Sequence, residues 1–210
     1  MQYTDIIEQL KLRLMQPLPG LAAQNRMASR VRPLPPELPE DARESAVLAL
    51  LFPLEEELNL MLIKRVEDGK PHSGQISFPG GRRDPEDPSL QVTALRETFE
   101  EVGIPSSSIE ILGKLSQLYI PVSNSNVHPY VGYMHSITES RINEAEVQYI
   151  LEVPVRELFT PERKTIRHIR PSAFPEMLIK APAYLLDDDH VIWGATAMMI
   201  AELEEVMGYH

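Results

Sequence analysis

Three carboxylates and one guanidinium crowd into a short stretch of chain as Arg96, Glu97, Glu100 and Glu101. On a helix, positions three and four apart share a face, so Glu97, Glu100 and Glu101 would stand side by side. Left alone, such acids repel one another and cost stability. A divalent cation offsets that repulsion. Hard ions such as Mg2+ or Mn2+ take carboxylate oxygens and keep other positions for water and phosphate. Taken by itself, the helix also fits an ordinary solvated acidic face. Its neighbourhood changes the balance: Gly80 and Gly81 lie one loop upstream, where a missing side chain lets backbone approach a metal or a phosphate.

Other elements must hold these groups in place. Asp87-Pro88-Ser89 offers an N-cap followed by proline at the first helical position. Leu90, Ala94 or Leu95, and Phe99 supply apolar positions, and Gly103 is placed to end the helix. The pattern predicts a helix of about four turns over 88–102. Upstream, Ile6, Ile7, Leu10 and Leu14 have helical spacing within 1–15, and a second short helix is expected in 21–31. A proline-dense segment, 33–39, then divides an N-terminal extension (1–43) from a main domain (44–210); it reads equally well as a rigid arm over that domain. The apolar run 46–52 predicts a buried strand. A glutamate-rich turn and a second strand over 58–64 complete a hairpin. Further strands are expected at 109–120, 129–135, 147–153, 165–169, 183–187 and 191–193. A last helix over 195–207 carries Met199, Ile200, Leu203 and Val206 on one side, with its glutamates expected on the other. The order strands, helix, strands, helix predicts an α+β fold, a mixed sheet with helices packed on it.

Composition narrows the function. The chain has 210 residues, 43% apolar and 24% charged, as in ordinary globular domains. There is no cysteine. That excludes disulfides, thiolate zinc sites and a cysteine nucleophile, and fits a reducing, cytoplasmic compartment. No apolar run is long enough to span a bilayer, and the N-terminus does not read as a signal peptide. The net charge of −11 repels nucleic acid and anionic membranes. It also repels phosphorylated small molecules, so an enzyme handling them needs local cations. Arg65, Lys70, Arg82 and Arg83 flank the glycines and are candidates for that role. A second basic group, Arg163, Lys164, Arg167, His168 and Arg170, reads as a remote phosphate site or a solvated edge strand. His72 reads as a loop residue near the site, His128 as structural, and Trp193 as packing at a strand–helix junction.

The stretch from Gly81 to Ile104 resembles the Nudix box, G-x5-E-x7-R-E-U-x-E-E-x-G-U with U apolar. Gly81, Arg96-Glu97, Glu100-Glu101, Gly103 and Ile104 match it. There are two departures: Asp87 or Glu86 stands at the first glutamate with one extra residue before Arg96, and Thr98 stands at an apolar position. Upstream, Met61-Leu62-Ile63-Lys64-Arg65-Val66, Lys70, Gly74 and Phe78-Pro79-Gly80-Gly81 resemble the signature L-L-T-x-R-S-x3-R-x3-G-x3-F-P-G-G of the family's coenzyme A pyrophosphatase branch. Ile63, Val66 and Lys70 depart from it, and lysine keeps the charge there but loses the bidentate fork.

The resemblance implies an α/β/α Nudix sandwich that uses Mg2+ or Mn2+ to hydrolyse the pyrophosphate of coenzyme A or an acyl-CoA. A broader nucleoside di- or triphosphate or ADP-ribose pyrophosphohydrolase and a non-catalytic ligand-binding module on the same fold are the alternatives. It implies Glu97, Glu100, Glu101 and the Gly81 carbonyl as metal ligands, with Glu97 as ligand or base, and Arg96 holding a glutamate in place. Arg65, Lys70, Phe78, Gly80, Arg82 and Arg83 would face substrate. Glu146 is a candidate general base, although a solvated glutamate beside Glu144 is the favoured reading. The expected partners are a small nucleotide substrate and at most a second copy of the chain.

Overall fold

A computed structural model describes residues 3–30, 38–69, 72–136 and 139–209. Lys70 and residues 33–37 of the proline-dense segment lie outside them. Helices α1 (Tyr3–Leu14) and α2 (Leu21–Gln24) precede strands β1 (Arg43–Leu54), β2 (Glu57–Arg65), β3 (Ile76–Ser77) and β4 (Gly80–Arg82). Helix α3 (Leu90–Val102) follows, then β5 (Glu110–Lys114), β6 (Leu118–Ile120), β7 (Ser125–Tyr133) and β8 (Val147–Pro154). The chain ends with α4 (Val155–Leu158), β9 (Lys164–Ile169), β10 (Ile179–Leu185), β11 (Val191–Trp193) and α5 (Gly194–Met207).

The spine is β1, whose residues 48–52 are fully buried. A strand covered on both faces reads as a continuous apolar run. It runs parallel to β7 and antiparallel to β2 and β4, so the sheet is mixed. On one edge β1 changes partner: Leu51 to Leu54 face β2, while Ser45 to Val47 face β4. That split lodges Gly80 and Gly81 within the sheet. In the β1–β2 turn, Glu55 and Glu56 both adopt left-handed φ, 49° and 64°, a conformation that favours Asn and Gly. The buried Asn59 amide steadies it by donating to the carbonyls of Leu54 and Glu57.

Two apolar clusters lie on either side of the sheet. Leu48, Leu50 and Phe52 pack with Ala94 and Val102 of α3. Ala49 and Leu51 belong to the cluster that holds Ile7, Leu10 and Leu14 of α1 and Met199, Ile200 and Leu203 of α5. Each of the leucine, isoleucine, valine, methionine and phenylalanine side chains contributes about 1.5–3 kcal/mol of burial before entropy is counted. The result is helices on both faces of a mixed sheet, with a smaller antiparallel sheet of β9, β10 and β11 beside it.

Several expectations need correction. Ser89, not Asp87, caps α3, accepting a hydrogen bond from the Val92 N–H at 3.3 Å, so the helix starts at Leu90. Phe99 is exposed, and Thr98 takes the inward position. The Thr98 hydroxyl is tolerated there because it donates to the Ala94 carbonyl one turn back, at 2.7 Å. The segment 109–120 forms two strands, not one. The glutamates of α5 are not all on a solvent face: Glu202 and Glu204 are buried.

Candidate active site

The centre of the site is the C-terminal half of α3, which ends at Gly103 in the left-handed conformation. Glu101 points inward and its side chain is 2% exposed. It accepts the Gly80 N–H at 2.8 Å and the Arg65 guanidinium at 2.9 Å. Burial still wins over both partners and pushes the Glu101 carboxyl up to about 7. Glu97 is raised too, first by burial and then by the charges of Glu100 and Glu146, against the pull of Arg96. Gly81 leaves room for it: a Cβ there would sit 2.4 Å from Glu97 Oε2. Gly80 has equally little freedom, since a Cβ would meet the Ala46 carbonyl at 2.4 Å.

Arg96 is the hub. Its Nη1 contacts Glu97 Oε1 and Glu100 Oε2, each at 2.9 Å, and its Nη2 donates to the Arg82 carbonyl at 3.0 Å. On its other side it forks onto Asp87 at 2.9–3.3 Å. Asp87 also accepts from the Thr93 hydroxyl and the Asp84 N–H, and Arg96 holds its carboxyl well below the usual range. The carboxylate at the motif's first acidic position therefore orients the arginine. Sequence reasoning missed this because the partners of Asp87 lie six and nine residues ahead of it.

Two further elements close around the helix. The register of β2 against β8 shifts between Lys64 and Arg65, re-aiming the strand end that carries Arg65. Backbone bonds from Arg141 N to Val102 O and from Asn143 N to Glu101 O lay the segment before β8 along the end of α3. This brings Glu146, exposed, close enough for Glu97 to feel its charge. Arg83 instead donates to the Asp87 carbonyl at 3.0 and 3.3 Å, which ties it to the loop.

Next to Gly80 and Gly81 opens a cleft of about 290 Å3. Arg43, Arg65 and Arg82 line it with Ser45, Gln75 and Ser77, and the Ser77 Oγ is buried without a partner. Apolar lining comes from Val47, Phe78, Ile120, Val127 and Met199. Phe78, expected at the substrate, lines the cleft as part of the core. His72 lines it too, in a left-handed turn, with burial lowering its pKa. Arg65 and Arg82 are among the residues the sequence pointed to; Arg43, Ser45, Gln75 and Ser77 were missed, although the alternation of Arg43, Ser45 and Val47 along β1 is their trace. The other basic group goes elsewhere: Arg163 pairs with Glu157 and Lys164 with Glu204.

Among the described residues no three His, Asp or Glu side chains converge as a ready metal cage. Here the guanidiniums of Arg96 and Arg65 hold the three glutamates. The donor set nevertheless fits a hard divalent ion. It is all oxygen, burial raises two of its carboxyls despite their arginine partners, and a glycine supplies space against one of them.

A helix-flanked mixed sheet with paired glycines leading into an acidic helix suits metal-assisted chemistry on a phosphorylated substrate. Residues 42–180 match the model of the NUDIX domain, so the chain belongs to the Nudix family. It is 32% identical over 184 residues to a Photorhabdus laumondii protein described as an uncharacterized Nudix hydrolase NudL, covering 86% of this chain and 94% of that one. A Yersinia pestis protein of the same description is 36% identical over 160 residues, covering 75% and 77%. A MutT/nudix family protein from Enterococcus faecalis has the same fold, with a TM-score of 0.51 at 18% identity over 84% of this chain and 71% of its own. The chain is thus a Nudix pyrophosphohydrolase of nucleotide derivatives.

Proposed function

We propose that this hydrolase cleaves the pyrophosphate link of coenzyme A or an acyl-CoA, giving 3′,5′-ADP and phosphopantetheine or its acyl form. The cleft carries the reading. It sets three guanidiniums and a polar floor beside an apolar wall, at the edge of the acidic helix. That suits a substrate with a polyanionic nucleotide end and a long amide–alkyl arm. Arg65, Phe78, Gly80 and Gly81, which also carry the coenzyme A-type signature, line the same cleft.

Glu97, Glu100, Glu101 and the Gly81 carbonyl would hold Mg2+ or Mn2+. When bound, the ion neutralises the diphosphate oxygens and activates water. Arg96 keeps Glu97 and Glu100 oriented toward that position. Arg65 and Arg82 face the substrate phosphates. Glu146, exposed and near Glu97, accepts the proton of the attacking water. One P–O bond forms, the bridging P–O bond breaks, and two phosphate monoesters leave.

Incubation with coenzyme A and Mg2+ or Mn2+, followed by chromatography and mass spectrometry, tests this. The expected products are 3′,5′-ADP and phosphopantetheine, and EDTA abolishes their release. Intact coenzyme A alongside rapid turnover of ADP-ribose or nucleoside triphosphates overturns the proposal.

A further inference from the structure

Two guanidiniums in the cleft stay free although acids stand close by. Arg43, at the start of β1, and Arg82, at the end of β4, both line it. Ser45 pairs with Arg82 across the two strands. Arg43 lies two residues before Ser45 and so shares its face. That makes Arg43 and Arg82 diagonal neighbours, a spacing that long side chains bridge. Ser45, buried and lining the same cleft, stands between them.

Glu40, Asp41, Glu44 and Asp84 border the outer side of the two arginines. Yet among the described residues neither guanidinium has a hydrogen-bond or ion-pair partner, and nor has the Ser45 hydroxyl. The acids are turned to other groups. Glu44 bonds Asn126 and His128 on the opposite face of β1, Asp41 accepts from the Asn124 amide, and Asp84 lies 3.9 Å from Arg96. Like charges on adjoining strands repel. In a chain with 31 acids against 20 lysines and arginines, two guanidiniums kept from the carboxylates beside them form a receptor for a dianion, which takes hydrogen bonds from both.

The place of this receptor limits what the dianion can be. Arg82 follows Gly81, whose carbonyl is assigned to the metal above, and Gly81 pairs with Ala46, next to Ser45. Strand residues rise about 3.3 Å each, so the anion lies within about two such steps of the position proposed for the diphosphate. A ribose that carries the diphosphate on one carbon and a phosphomonoester on another spans such a gap. We propose that Arg43, Arg82 and the Ser45 hydroxyl bind the 3′-phosphate of coenzyme A. This rests on the substrate reading above and adds selection to it. A nucleotide without that phosphate, such as ADP-ribose, leaves the two guanidiniums unpaired and forfeits their bonds. These groups bind and orient; the P–O bond that breaks is the same.

The test compares coenzyme A with 3′-dephospho-coenzyme A on the full chain with Mg2+. Wild-type protein should cleave coenzyme A with a kcat/KM about 10–100-fold higher, the worth of one or two charge-assisted hydrogen bonds. Arg43→Gln should erase most of that ratio, and the change should lie in KM, as for a group remote from the reacting atoms. Equal cleavage of the two compounds by wild type overturns the site, as does an equal loss on both in Arg43→Gln. The wild-type ratio decides even if the variant does not fold. Calorimetry with 3′,5′-ADP and AMP separates this site from the substrate reading. If neither form of coenzyme A is cleaved, the substrate reading fails, yet 3′,5′-ADP should still bind wild type about tenfold tighter than AMP and lose that margin in Arg43→Gln. Equal affinities overturn the phosphate site itself.

Discussion

Helices α3 and α5 both bury glutamates, and they do so in opposite ways. On α5, Glu202 accepts from the Gly20 N–H at 3.1 Å, the Gln24 amide at 2.7 Å and the Ser116 N–H at 3.2 Å. Its neighbour Glu204 takes the Tyr184 hydroxyl at 3.0 Å and pairs with Lys164. Each carboxylate has donors converging on it from distant parts of the chain, so its oxygens are satisfied inside. On α3, Glu97 and Glu101 are also sheltered, but there burial outweighs the arginine and backbone partners, with a further push from neighbouring acids, and their carboxyls are raised. A buried charge with a full set of donors fastens structure. A carboxyl that burial raises despite its partners is better placed to take up a cation, and raised carboxyls in a cleft mark functional ground.

The sharpest way to break this contrast is to exchange each carboxylate in turn. Glu101→Gln should leave the fold intact and lower kcat by about a thousandfold, beyond the 10–100-fold typical of a group that merely orients a metal ligand. Steady-state kinetics with saturating metal, alongside circular dichroism, measures both. Unchanged turnover would remove Glu101 from the proposed metal site and with it the functional half of the comparison.

Glu202→Ala should do the reverse. Removing a buried acceptor strands the N–H groups of Gly20 and Ser116 and the Gln24 amide, at a cost of about 3 kcal/mol. Urea unfolding should show the lower midpoint, while kcat in the folded protein stays near wild type. Because Glu202 joins α2 and the turn after β5 to α5, the loss should include docking of the N-terminal helices. A drop in kcat without a drop in stability would mean that α5 acts on the chemistry directly.

The two helices also differ in how far they could be read from sequence. Most of what α3 needs is local: an N-cap, a terminal glycine, and acids at three- and four-residue spacing. Its existence, its end and its acidic cluster were therefore legible. Its start was not, because Asp87 and Ser89 are both good caps and the choice depends on Arg96 claiming Asp87. The buried acids of α5 were illegible for a stronger reason. Their donors, Gly20, Gln24, Ser116, Lys164 and Tyr184, are scattered along the chain, and only the packed fold brings them together. The cleft is hidden in the same way, with walls drawn from β1, β3, β7 and α5. Strands β3 and β4, of two and three residues, are too short to show any periodicity.

The smallest expected effect is in pH, and it tests whether Glu101 is under-compensated at all. Its carboxyl is raised from 4.5 to about 7, so in metal-free protein its protonated form favours folding. That contribution is complete below about pH 4.5 and is lost as pH rises through about 7. Asp87 runs the other way. Arg96 holds it below the ordinary range, so its contribution is present at neutral pH and is lost only in strong acid. Subtracting the urea stability of Glu101→Gln from that of wild type isolates the first effect. The difference should fall between these two pH values and level off above them. Saturating Mg2+ should flatten it, because an ion bound to the charged carboxylate favours the form that burial disfavours. A difference that is already flat without metal would show Arg65 and the Gly80 N–H to be sufficient partners. Glu101 would then resemble Glu202, and the distinction between the helices would rest on Glu97 alone.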